Sequence, residues 1–145
     1  MFHVLIAEQD AEVRAKLERV LETLVDAAGE ECVVSFTGDG LAAFRKAKRV
    51  QPRLVLISSS LPLGGGVQIV QALQLYAAQA RIVVLANRGE SSGNLVSFVQ
   101  AGAHGVVPKD LDADALSLAV NRVMRGERYF AGERVVAPAD HVPSG

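Results

Sequence analysis

The residues able to do chemistry fall into four short groups: Glu8-Gln9-Asp10, Ser58-Ser59-Ser60, Ala86-Asn87 and Pro108-Lys109. They offer carboxylates in Glu8 and Asp10, an ammonium in Lys109 and three hydroxyls in a row. A serine hydroxyl attacks only when a base takes its proton. No histidine stands with these groups; His3, His104 and His141 are scattered along the chain. A divalent cation such as Mg²⁺ wants an oxygen cage, usually with more than one carboxylate. Glu8 facing Lys109 reads most simply as an ion pair. The chain is expected to be a non-enzyme with no cofactor, its Mg²⁺ binding weak or absent.

Each group follows a short apolar run. The runs are His3 to Ala7, Cys32 to Phe36, Leu54 to Ser58, Arg81 to Ala86 and Gly105 to Val107. Rich in β-branched residues and without clean alternation, they predict strands covered on both faces. The single cysteine, Cys32, is read as a small core residue of the second. Between the runs lie five amphipathic stretches. The first carries Val13, Leu17, Val20, Leu21 and Leu24 on one stripe, with Asp10 as N-cap. The second spans about 41–50 and stops before Pro52. The others span about 67–78, about 91–101 (ending at Gly102) and from Asp112 or Asp114 to near Gly126. Five alternating βα units predict an α/β fold: a doubly wound, five-stranded parallel sheet of flavodoxin-like order 2-1-3-4-5 with five helices. In such folds ligands gather at the carboxyl ends of the strands, where the four groups lie.

The chain has 145 residues, 50% hydrophobic, with a formal net charge of -1. That suits one compact unit, residues 1–128, followed by a Pro/Gly-rich linker or tail, residues 129–145. The near-neutral balance carries no overall signature of nucleic-acid or membrane binding. One cysteine rules out an internal disulfide and fits the cytoplasm. The opening MFHVLIAEQD lacks the basic flank of an export signal. Gly64, Gly65 and Gly66 admit two readings, a tight turn or a nest of N–H groups for an anion, and the turn is preferred.

The segments VLIAEQD, LVLISSSLPLGGG, VVLANRG and AGAHGVVPKD are spaced like those of response-regulator receiver domains, and VMRGERYFAGE resembles the receiver end in the helix-turn-helix (NarL/LuxR-type) subfamily. The resemblance covers roughly residues 3–131. It implies an acidic pair after the first strand, a phosphate-accepting aspartate after the third, Thr or Ser after the fourth, a switching aromatic in the fifth and a lysine beyond it. In this chain those positions hold Glu8 and Gln9, Ser58, Ala86, Val106 and Lys109. Lys109 survives intact, with Pro62 and Gly66 of the loop, and Glu8 keeps one acid of the pair, a weak candidate Mg²⁺ ligand helped at most by the Gln9 amide oxygen and backbone carbonyls. A phosphoserine would also lack the labile acyl-phosphate bond. The six positions are expected to be a vestigial phosphorylation site.

The expected function is an atypical, phosphorylation-independent receiver: a protein–protein interaction or dimerisation module in signalling or transcription control. Two alternatives stay open. One is a small-ligand or nucleotide-binding flavodoxin-like module. The other is the regulatory domain of a longer DNA-binding transcription factor, with DNA contacted only through a separate C-terminal domain. A protein partner or a second copy is expected, and no membrane. The fourth helix places Leu95, Phe98 and Val99 on one stripe with Val96 beside it, a candidate interaction face. NRGESSGN, residues 87–94, is expected to be a mobile loop.

Overall fold

The computed structural model describes residues 1–22, 24, 29–62 and 66–130. Strands and helices alternate along the chain: β1 (Phe2–Ala7), α1 (Ala11–Leu21), β2 (Cys32–Thr37), α2 (Gly40–Val50), β3 (Leu54–Ser58), α3 (Val67–Tyr76), β4 (Arg81–Ala86), α4 (Ser92–Gln100), β5 (Gly105–Pro108), α5 (Ala113–Met124) and β6 (Tyr129–Phe130). Every strand pairing is parallel, in the order β2-β1-β3-β4-β5-β6.

Alternate strand residues feed two cores, one on each face of the sheet. Leu5, Val55, Ile57, Ile82 and Val84 point to the side covered by α2, α3 and α4. Val4, Ile6, Leu54, Leu56, Val83 and Leu85 point to the side covered by α1 and α5. All five residues of β3 are buried, which is why its sequence shows no polar alternation.

Short polar side chains start the helices. Asp10, Asp39, Ser91 and Asp112 each accept backbone N–H bonds at the N-cap of α1, α2, α4 and α5, a contribution of about 1 kcal/mol apiece. At two helix ends a glycine supplies a backbone conformation that side chains disfavour. Gly66, the N-cap of α3, has φ +84° and no side-chain cap. Gly102, just past α4, has φ +111°, and a Cβ there would meet Gln74 Cδ at 2.9 Å.

The expectation of five strands needs correction. Tyr129 and Phe130 form a sixth, pairing with Gly105 and Val106 of β5. Two residues are too few to show an apolar run, and their pairing depends on α5 returning the chain to the sheet edge. Of the segment 129–145 expected as linker or tail, its first two residues thus lie in the sheet, and residues 131–145 fall outside the described residues.

Candidate functional site

The parallel register brings the ends of β1, β3, β4 and β5 to one rim. Glu8, immediately after β1, is 1% exposed. Its Oε1 lies 2.8 Å from Lys109 Nζ, and its Oε2 accepts the Asp10 N–H at 3.0 Å. The Lys109 contact is an ion pair without the alignment of a directed hydrogen bond. Two further cations fix the rim by binding backbone oxygens. Arg14 Nε donates to the Glu8 carbonyl. Lys16 Nζ donates to the carbonyls of Lys109 at 2.6 Å and Leu111 at 2.9 Å, clamping α1 to the β5–α5 loop.

The three serines behave differently from one another. Ser58 is 2% exposed, and its Oγ accepts the Ser60 N–H at 3.2 Å. The hydroxyl is thus engaged in a local turn, a habit of serine after a strand. Ser59 Oγ donates to the carboxylate of Glu90, which also accepts from Asn94 Nδ2 and, at 3.4 Å, from the Asn87 N–H. Glu90 therefore ties the end of β3 to the β4–α4 loop. Ser60 is exposed. Among the described residues, no base touches any of the three hydroxyls except Glu90 at Ser59.

Beside the rim lies a cleft of about 480 Å³ lined by Lys16, Arg19, Arg88 and Lys109 together with Asp10, Glu12 and Asp110. Arg88 and Asp110 pair at 2.8 Å across its mouth. That guanidinium, donating to the carboxylate, holds the Asp110 carboxyl below its ordinary range. Among the described residues no three His, Cys, Asp or Glu side chains converge as a metal cage.

The sequence model of the response regulator receiver domain matches residues 4–121. The chain belongs to the response regulator receiver family. It is 32% identical over 143 residues to protein-glutamate methylesterase/protein-glutamine glutaminase 5 of Myxococcus xanthus, covering 97% of this chain and 40% of that protein. It is 28% identical over 134 residues to the nitrate/nitrite response regulator protein NarP of Escherichia coli, covering 92% of this chain and 60% of that one. The receiver thus spans only about half the length of these curated relatives. A two-component response regulator of the LuxR family from Aurantimonas superposes with TM-score 0.75 at 22% identity, covering 96% of this chain and 91% of that one.

Within the receiver, the six singled-out positions do not all meet. Glu8 and Lys109 touch, and Ser58 sits one residue beyond the last β1–β3 pair, Ala7 with Ile57. Gln9 is exposed. Ala86 is buried at the end of β4, where its carbonyl accepts the Lys109 N–H at 2.9 Å. Val106 is buried in the α2–α3–α4 core. The candidate interaction face needs correction as well. Leu95, Phe98 and Val99 are packed in that same core, and Val96 alone of the four is half-buried. The receiver's Gly64 and Gly65, and with them the turn and anion-nest readings, lie outside the described residues.

Sequence reasoning passed over Glu90, Arg14 and Lys16. Glu90 stands four residues before Asn94, a spacing that pairs side chains on a helix, so one of its contacts had a local signal. Its bond to Ser59 and the Lys16 clamp join residues 31 and 93 apart and had none. The loop 87–94, expected to be mobile, carries the Glu90 bonds and the Ser91 cap.

Proposed function

We propose that this receiver works without phosphoryl transfer, as an interaction module in signalling or transcription control. The observation that carries the reading is the Glu8–Lys109 ion pair beside Ser58. The buried carboxylate of the rim already has its cation, and the acceptor position holds a hydroxyl engaged in its own turn.

Phosphoryl transfer is mostly placement plus electrostatics. It requires enough negative charge to hold Mg²⁺ and a nucleophile facing the incoming phosphorus. Here Glu8 divides its oxygens between Lys109 and the Asp10 N–H, Asp10 caps α1, and Gln9 is a neutral, exposed amide. This donor set does not fit Mg²⁺. Partners, including a second copy of the chain, are recognised by surface contacts. DNA would be reached through another part of a longer regulator.

Intact-mass spectrometry after incubation with acetyl phosphate or phosphoramidate tests the reading, the expected result being no added mass. A phosphorylated Ser58 would overturn it. A second reading is a small anionic ligand in the cleft, whose lining sets Lys16, Arg19, Arg88 and Lys109 against Asp10, Glu12 and Asp110. A specific thermal shift with FMN, ATP or a cyclic dinucleotide, lost on Arg19→Ala, would establish that one.

A further inference from the structure

The near-neutral total charge conceals a strong segregation. From Gly40 to Gly89 the chain has no Asp or Glu, yet it carries Arg45, Lys46, Lys48, Arg49, Arg53, Arg81 and Arg88. These are seven of its fifteen cations, which leaves eight cations against all sixteen acids elsewhere. Four of the seven stand on α2. None of Arg45, Lys46, Lys48 and Arg49 pairs with a carboxylate among the described residues.

The neighbouring helix has no charge at all. The exposed positions of α3 are Gln68, Gln71, Leu75 and Tyr76, and Leu75 is 77% exposed. Lys48 joins the two helices, its Nζ 5.4 Å from the Phe44 ring and 5.2 Å from the Tyr76 ring, while those rings meet edge to face. Gln51, closing α2, donates to the Tyr76 carbonyl at 2.9 Å. The outer face of α2 and α3 therefore has, along one side, cations that pair with no carboxylate among the described residues and, on the other, an uncharged strip bearing Leu75 and Tyr76. A neutral strip is cheap to desolvate, and tyrosine and arginine are the side chains that most often dominate binding.

We propose that this face docks a short acidic segment of a partner protein, its carboxylates on Arg45, Lys48 and Arg49 and an apolar side chain on Leu75 and Tyr76. Charge complementarity argues for a protein segment of limited length. A nucleic acid or an anionic bilayer extends beyond the patch and meets the excess acid of the rest of the chain. The proposal stands whether or not the strand-end site takes phosphate.

The test uses the isotope-labelled full chain, titrated with a short synthetic peptide of glutamate, leucine and phenylalanine and followed by backbone NMR and fluorescence anisotropy. Shifts are expected to centre on residues 45–51 and 71–78. Arg49→Glu and Leu75→Ala are each expected to weaken binding about tenfold or more. Arg125→Glu, which changes net charge equally at the end of α5, is expected to change it little. Circular dichroism of each variant separates lost binding from lost folding. No binding, shifts centred elsewhere, equal weakening by Arg125→Glu, or tighter binding to duplex DNA or phosphatidylglycerol vesicles would each overturn the proposal.

Discussion

Lys109 Nζ stands 2.8 Å from Glu8 Oε1, and the Glu8 side chain is 1% exposed while that of Lys109 is 17% exposed. The carboxylate is therefore sealed beneath its counterion. Removing the lysine would leave a buried charge without a partner, a loss of about 3–5 kcal/mol. Lys109→Met should lower urea stability by that order. Adding Glu8→Gln should recover most of it, because the pair is then replaced together. A double-mutant cycle that returns no coupling would show the contact to be incidental.

The Glu90 tie makes a separate claim about loop order. Glu90→Ala removes the acceptor for Ser59, Asn94 and the Asn87 N–H. We expect a loss of about 1–2 kcal/mol, with most of the cost in unsatisfied donors. Amide exchange should quicken at Ser59 and through residues 87–94 while β1 and β3 stay protected. Uniform loss of protection would instead mark a global effect.

Restoring acid to the rim should restore a metal response. Ser58→Asp alone places a second carboxylate beside Glu8 at a position only 2% exposed and should lower the melting temperature. With Gln9→Asp added, Mg²⁺ should raise it, since carboxylates then exceed the single lysine. The parent chain should show no Mg²⁺-dependent shift. A shift in the parent as large as in the double variant would mean that the native donors suffice.

His104 Nδ1 accepts the Ile82 N–H at 3.0 Å, so the ring is held unprotonated at that nitrogen. Burial, then Arg81 and Arg128, lower its pKa from the ordinary 6.5. The unfolded chain consequently takes up a proton near pH 6.5 that the folded one refuses, and stability falls as pH drops through that value. His104→Asn keeps an acceptor for Ile82 and removes the titration. Its stability should be flatter than that of the parent below pH 6.5 in chemical denaturation. Parallel curves for the two chains would remove His104 as the cause.

The fold was largely legible because its signals are local. The bounds of β3 and β4 match the apolar runs Leu54–Ser58 and Arg81–Ala86, and the Asp10 cap of α1 announces itself by residue type. β6 was not legible. Tyr129–Phe130 becomes a strand only because β5 offers an edge. In the fourth helix the spacing already set Leu95, Phe98 and Val99 on one stripe with Val96 beside it; packing decided that the stripe faces the core rather than a partner.

For the site, residue types at the strand ends named the groups that meet there, and the family resemblance marked Ser58 as standing where an acceptor aspartate is expected. Chain order and the right-handed crossover place those ends together whatever the side chains do. The sequence by itself therefore determined the βα frame, the rim and the residue types on it, since these follow from short-range periodicity and residue identity. Only the tertiary structure decided that Glu8 is buried beneath Lys109, that Lys16 clamps the β5–α5 loop, that Glu90 binds Ser59, and that the cations of α2 lie beside the uncharged strip of α3. Each of these is a choice of partner between residues far apart in the chain, settled by how the helices pack on the sheet, which no local pattern encodes.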